Sequence, residues 1–237
     1  MGVFHNPIIS GKRLLLTIIS IDGPASSGKS TTAKLVAQKL GFQYIDTGAM
    51  YRAATLSVIL AGVNPHNETE VVRVVRDSLI ALLYDGEKLK VLLNKRDVSK
   101  EIRSRQVTQL VSLISTYRGV REHLVALQRK MGEDSNIVCE GRDIGTVVFP
   151  NADIKIYIDC SIDERAKRRL LDLQRAGIIT TTEEVKQQLK KRDKIDSERE
   201  LSPLTIPQGA EIIDTSNLTV QEEIERVIDL VYVLRGE

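Results

Sequence analysis

The sequence predicts an α/β fold, a doubly wound five-stranded parallel sheet with helices on both faces. Short β-like runs alternate with segments of helical period, and no repeat, low-complexity tract or Pro/Gly-rich linker separates them. Several runs are continuously apolar, as strands covered on both faces must be. The chain has 237 residues, 42% apolar and 28% charged, enough for a substantial core and unlike a disordered or membrane composition.

Five runs qualify as strands of that sheet, residues 15–21, 43–45, 136–139, 154–158 and 211–213. The helix after the first carries Ala33, Val36, Ala37 and Leu40 on one face and stops at Gly41. Between the second and third runs lie about ninety residues, too many for one crossover. Residues 63–105 therefore read as an insert in a core formed by residues 14–62 and 106–237. The insert begins with a short helix over 69–82, followed by an Asp85-Gly86 turn and a β excursion with alternating Leu89, Val91 and Leu93. A helix resumes with Val107, Leu110, Val111 and Ile114 on one face, and another begins near Gly119 with Val120, Leu124, Leu127 and Met131.

Beyond the fourth strand, Ser161-x-x-Glu164 spells a capping box for a helix on which Arg165, Arg168 and Arg169 share a face. Residues 165–182 read as a lid. Thr181-x-x-Glu184 caps the next helix, whose stripe runs Val185, Leu189, Arg192, Asp196, Arg199. The stripe turns from apolar to charged halfway, as in a helix that leaves the core and projects its end into a cleft; a solvated tail is the alternative.

Lys plus Arg total 34 against 32 Asp plus Glu, a net charge of +2, which argues against a broad nucleic-acid surface. Aromatics are 4% and tryptophan is absent, so base-stacking platforms are poorly supplied. Cys139 and Cys160 close apolar runs and read as small core hydrophobes. His5, His66 and His123 stand apart, so no metal cluster is expected. The apolar stretch at 14–21 is too short to span a bilayer, and no small-residue cleavage pattern precedes it. After Met1-Gly2, position six is Asn6 where a myristoylation signal needs Ser or Thr. A cytoplasmic protein is expected, a monomer without nucleic-acid or membrane partners.

Gly23-Pro24-Ala25-Ser26-Ser27-Gly28-Lys29-Ser30 fits G-x-x-x-x-G-K-[ST] between an apolar strand and a helix, the context a phosphate-binding P-loop requires. Its amides and the helix N-terminus cradle phosphates, Lys29 adds a charge near the β/γ oxygens, and Ser30 is the candidate Mg²⁺ ligand. The loop names the ligand and not the reaction. Asp46-Thr47-Gly48-Ala49-Met50-Tyr51-Arg52 starts a helix at a strand end, where Arg52 either grips an anion or lies on the surface beside a capping Thr47. Glu140-Gly141-Arg142-Asp143 ends the third strand, where ligands bind, although an Arg142–Asp143 pair bracing the loop would look the same.

Taken in this order, with Asp97-Val98-Ser99-Lys100-Glu101-Ile102-Arg103 in the insert, Glu140 to Pro150 and Asp214-Thr215-Ser216, these motifs resemble the bacterial cytidylate kinase family, a group of P-loop nucleoside monophosphate kinases. The resemblance covers roughly residues 14–235 and leaves 1–13 as an addition. It implies transfer of the γ-phosphoryl group of ATP to CMP or dCMP with Mg²⁺, and makes the insert an NMP-binding subdomain. It implies ATP binding by Gly23, Pro24, Ala25, Ser26, Ser27, Gly28, Lys29, Ser30 and Thr31 together with Arg165, Arg168 and Arg169. Ser112, Arg121 and Asp143 would read the cytosine edge, Arg52, Arg142, Arg192, Asp196 and Arg199 would hold the acceptor's phosphate and sugar, and Thr47 would also bind the substrate. Lys29, Arg142, Arg168 and Arg199 are the residues expected to carry catalysis. An acceptor phosphate needs no general base, so neutralising and aligning two polyanions is the task.

Asn94-Lys95-Arg96-Asp97 matches the guanine-reading N-K-x-D, but it precedes the third core strand and no suitable D-x-x-G follows the loop. It is expected to be a turn. Kinases for AMP, dTMP or shikimate share the loop and lid logic and are the nearer rivals. A nonenzymatic nucleotide sensor would not need the second anion site around Arg52 and Arg199.

Overall fold

The computed structural model describes residues 16–85, 88–175 and 177–235. The strand β1 (Ile18–Asp22) leads through the glycine-rich loop into α1 (Lys29–Leu40), then β2 (Gln43–Asp46) and α2 (Thr47–Leu60). The insert follows as α3 (Glu68–Arg76), β3 (Ile80–Asp85), β4 (Lys88–Leu93) and β5 (Arg96–Asp97). The chain returns through α4 (Arg105–Ile114) and α5 (Arg118–Met131) to β6 (Ile137–Gly141), a π-turn at Ile144–Val148, and β7 (Ile154–Asp159). The α6 (Ile162–Arg175) and α7 (Thr182–Glu198) hairpin, β8 (Glu211–Asp214) and α8 (Val220–Arg235) complete it.

The five-stranded sheet has the order β2-β6-β1-β7-β8, and its pairings are parallel. Alternation along the strands feeds two cores. Ile19, Ile21, Val138 and Ile156 pack with Ala33, Val36 and Ala37 of α1 and Ile224, Val227 and Val231 of α8. Ile45, Ile137 and Cys139 face the other way, onto Met50 and Ala53 of α2, Val107 and Ile114 of α4 and Leu124 of α5. Helices thus cover both faces. Both cysteines are buried and free.

Several sequence expectations shift. The first strand begins at Ile18 and extends to Asp22, while Thr17 just before it donates its N–H to Asn136 Oδ1 at 2.7 Å and accepts the Ile137 amide at 2.9 Å. Leu15, His5, the Met1-Gly2 start and the rest of 1–13 lie outside the described residues, as does Gly86 of the expected hairpin turn. The insert's helix stops at Arg76, with Asp77 as C-cap, and Ile80–Asp85 is a strand paired with β4. That apolar run satisfies either period, and pairing with Val91 and Leu93 decides for the strand. Asn94 and Lys95 both adopt left-handed backbone (φ 51 and 69) in the tight turn between β4 and β5.

The insert shares its core with the main body: Val71, Val75, Ile80, Val91, Val98 and Ile102 belong to the same apolar cluster as α2, α4 and α5. Tyr84 donates its hydroxyl to the backbone carbonyl of Tyr44 on β2, fastening the insert's hairpin to the edge of the central sheet. Among the described residues, no helix is long and apolar enough to cross a membrane.

Candidate active site

Three adjacent strands bring acids to the carboxyl edge of the sheet: Asp22 ends β1, Asp46 ends β2 and Glu140 is the penultimate residue of β6. Ligands bind at this edge in open α/β sheets. Asp22 is fully buried and accepts the amides of Ile144 and Gly145, both at 2.7 Å, which fixes the start of the π-turn. Burial, partly offset by those two bonds, lifts its carboxyl to about 6. Sequence reasoning passed over Asp22; the signal was an acid closing a continuous apolar strand beside the glycine-rich loop.

The loop is built on close approach. Gly23 has φ 147, and a Cβ there would lie 2.1 Å from the Ile158 carbonyl oxygen on β7. Gly28, with φ 105, is the N-cap of α1, and its carbonyl accepts the amides of Thr31 and Thr32 at 3.0 and 3.1 Å. Ser26 is left-handed at φ 62. The Lys29 ammonium donates to the Pro24 carbonyl at 2.5 Å and to Ser27 Oγ at 3.2 Å. Burial, then the nearby Arg142, lowers its pKa well below the ordinary lysine value. Ala25 packs with Ala166, Val185 and Leu189, so the loop rests on the α6–α7 hairpin.

Ser30 donates to Glu140 Oε1 at 2.5 Å, and the buried Tyr44 hydroxyl donates to the same oxygen at 3.1 Å. A hydroxyl and a carboxylate side by side at the N-terminus of α1 are hard oxygen donors and fit Mg²⁺. Thr47 is not the cap of α2: Asp46 accepts the Ala49 amide at 2.8 Å, while Thr47 Oγ1 donates to the Glu140 carbonyl at 2.7 Å. Burial, then the Glu140 carboxylate across the β2–β6 pair, raises Asp46 to about 6.

Arg165 and Arg168 meet the loop from beneath. Arg165 is buried and donates to the Ala25 and Cys160 carbonyls and to Asp193 at 2.7 Å. Arg168 donates to the Ser27 carbonyl at 3.2 Å and to the Thr215 carbonyl at 2.7 Å, and lies 3.5 Å from Glu223 on α8. The expected lid thus starts from an anchored base, and both arginines are engaged in bracing the loop. The Ser161–Glu164 box is half formed: Ser161 Oγ accepts the Glu164 amide, but the Ser161 amide goes to Ser216 Oγ. The Thr181–Glu184 box is complete. Arg169, partly buried, faces a different group of charges.

That group gathers around Asp196 of α7. Asp196 accepts from Arg142 Nε at 3.0 Å and lies 3.8 Å from Arg192 Nε. Arg142 thus pairs with α7 and not with the adjacent Asp143. Burial depresses Arg142, but Asp196 and Glu140 outweigh it, so its pKa stays above the ordinary value. Arg52 donates to Thr108 Oγ1 at 3.0 Å and to the Ile102 carbonyl at 3.3 Å. Burial and then the cations Arg192, Arg169 and Arg103 lower Arg52 to about 9; burial and then Arg142 lower Arg192 to about 10.

Asp143 sits deeper. Arg121 donates Nη2 to its Oδ2, and Arg199 Nη2 lies 3.6 Å from its Oδ1. Arg121 also donates to the Ser115 carbonyl at 3.2 Å and stands 5.5 Å from the Tyr51 ring centre. The Tyr51 hydroxyl and Arg199 Nη2 are buried without a hydrogen-bond partner among the described residues. Arg199 is the C-cap of α7, so the apolar stripe does carry over into the cleft, with Val185, Leu189, Asp196 and Arg199 all buried. Ser112 lies on α4, and its hydroxyl has no hydrogen bond to this group among the described residues.

The pattern of the family described as cytidylate kinase matches residues 19–232. Cytidylate kinase of Caldanaerobacter subterraneus subsp. tengcongensis is 51% identical over 90% of this chain and 93% of its own. That of Bacillus pumilus is 44% identical over 89% and 94%. Among solved structures, shikimate kinase from Acinetobacter baumannii in complex with shikimate covers 92% of this chain and 94% of its own with a TM-score of 0.47 at 15% identity.

Proposed function

The chain belongs to the cytidylate kinase family, and from that membership we propose that it transfers the γ-phosphoryl group of ATP to CMP, giving ADP and CDP. The acceptor is an oxygen of the CMP phosphate. It forms the new bond to the γ-phosphorus while the bond from that phosphorus to the β-phosphate oxygen breaks, and ADP leaves with the electron pair. The attacking oxygen is already anionic, so no side chain has to remove a proton.

The observation that carries this reading is the group of guanidiniums at the carboxyl edge of the sheet. Arg52, Arg142, Arg169 and Arg192 come from four separate segments, and mutual repulsion helps lower Arg52 and Arg192. Partly buried cations gathered this closely are stabilised by a polyanion among them. A second anion site beside a P-loop is what a phosphate acceptor needs and a simple hydrolase or sensor does not.

The roles follow from position. Loop amides and Lys29 hold the β- and γ-phosphates; Lys29 exchanges its contact with the Pro24 carbonyl for phosphate oxygens. Ser30 and Glu140 would hold Mg²⁺, which would supply charge neutralisation for the donor's phosphates. Arg142 and Arg192, aligned by Asp196, and Arg52, held by Thr108, take the acceptor phosphate and sugar, with Thr47 nearby on the Glu140 carbonyl. Asp143 and Arg121 read the cytosine edge, with Ser112 on the neighbouring helix; Arg199, expected on the phosphate and sugar, lies 3.6 Å from Asp143 and is proposed to act with this pair. Arg165 and Arg168 secure the loop from below, leaving Arg169 to approach the transferring group. Catalysis is alignment and charge neutralisation.

dCMP is proposed as a second acceptor, and the enzyme is proposed to act as a cytoplasmic monomer on small molecules, since one chain supplies the whole cleft. With ATP labelled on its γ-phosphorus, the label should appear in the β-phosphate of CDP. Label released as inorganic phosphate, with no labelled CDP, would refute the transfer.

A further inference from the structure

The acceptor side of the proposed site contains a closed ring of four residues from three separate parts of the chain. Asp143 meets Arg121 through Oδ2 and Arg199 through Oδ1. The two arginines meet again at Ser202, where Arg121 Nε donates to Oγ at 3.3 Å and Arg199 Nε donates to the backbone carbonyl at 2.6 Å. Each guanidinium is thus fixed at its Nε edge by Ser202 and turns an Nη edge toward Asp143. The turn is tied to α7 as well, since the Leu204 amide donates to the Asp196 carbonyl at 2.8 Å.

Ser202 adopts a backbone that its sequence disfavours. Its φ is 51, left-handed for a residue with a Cβ, and Pro203 follows it. A residue before proline is pushed toward extended backbone, and a left-handed serine persists only where surrounding contacts over-determine it. Here the conformation delivers the hydroxyl and the carbonyl to two different arginines.

We propose that Ser202 is a positioning residue for the acceptor nucleotide, holding Arg121 and Arg199 by their Nε atoms so that their outer nitrogens and Asp143 keep one fixed pattern of donors and acceptors. This rests on the reading that these three residues receive CMP. Arg199 Nη2, buried without a hydrogen-bond partner among the described residues, is the donor that the arrangement leaves for the nucleotide.

The test is steady-state kinetics of Ser202→Ala, which removes the hydroxyl acceptor and keeps the carbonyl, and of Ser202→Asn, which restores an acceptor and tolerates left-handed backbone. Ser202→Ala should raise KM for CMP about tenfold, with kcat and KM for ATP within about twofold of wild type. Ser202→Asn should recover most of the loss. In an Arg121→Lys background the same serine change should add less than about twofold, because the bond it removes is already gone. An unchanged KM for CMP, an equal rise in KM for ATP, or full additivity with Arg121→Lys would overturn the proposal. Ser202→Gly, which relaxes the backbone, carries the same expectation should the alanine variant fold poorly. A wild-type enzyme inactive on CMP would refute the reaction itself; an active wild type with an indifferent Ser202→Ala refutes only the role of Ser202.

Discussion

The Ser30 hydroxyl lies 2.5 Å from Glu140 Oε1, joining the first turn of α1 to the end of β6. Glu140 is nearly fully buried, and Tyr44 donates to the same oxygen. In Glu140→Gln the charge beside Ser30 is lost while the shape is kept. Turnover at saturating substrates should fall by about 10²-fold, and the Mg²⁺ concentration giving half-maximal rate should rise several-fold. A Mg²⁺ titration of the variant checks both; an unchanged half-saturation point would detach Glu140 from the metal site.

Asp46 offers a pH test. Its ordinary value is 3.8, and burial, then the Glu140 carboxylate, raises it to about 6 in the folded chain. Between those values the folded state binds more protons than the unfolded chain, so this group makes stability fall as pH rises, until the penalty is complete above about pH 6. Asp46→Asn keeps an oxygen for the Ala49 amide and removes the charge. It should match wild type near pH 4 and unfold a few degrees higher at pH 7. Thermal unfolding at the two pH values decides, and equal shifts at both would contradict the assignment.

Much of the fold was legible because its signals are local. Gly23, Gly28 and Lys29 advertise the loop within eight residues, and the stripe from Val185 to Arg199 announced a helix that crosses from core to cleft. What stayed hidden is tertiary. Asp22 caps amides 122 and 123 positions away, and Arg165 and Arg168 reach loop carbonyls about as distant, so nothing in their neighbourhoods shows which way they point. The β3 run failed as a helix because continuous apolar residues carry no period; only its pairing with β4 fixes it. Ser202 was invisible for both reasons, lying in an irregular turn with partners on two helices.

Glu223 tests the brace beneath the loop. It is 2% exposed, accepts from Thr32 Oγ1 at 2.7 Å and lies 3.5 Å from Arg168 Nη1. Glu223→Ala leaves the buried Thr32 hydroxyl without its acceptor and takes from Arg168 one of its two neighbouring carboxylates, Glu164 being the other. It should cost about 3 kcal/mol in urea unfolding and raise KM for ATP more than KM for CMP. Equal effects on both substrates would mean that the brace does not act through the loop.

The guanidinium group around Arg52 and Arg192, together with Asp143, is expected to select a cytidine monophosphate as the phosphoryl acceptor. The most direct measurement is an acceptor panel with ATP and Mg²⁺, comparing initial rates on CMP, dCMP, AMP, GMP and dTMP. CMP and dCMP should be converted to their diphosphates far faster than the other three. Equal rates across all five, or nucleoside triphosphate hydrolysis independent of any acceptor, would contradict it.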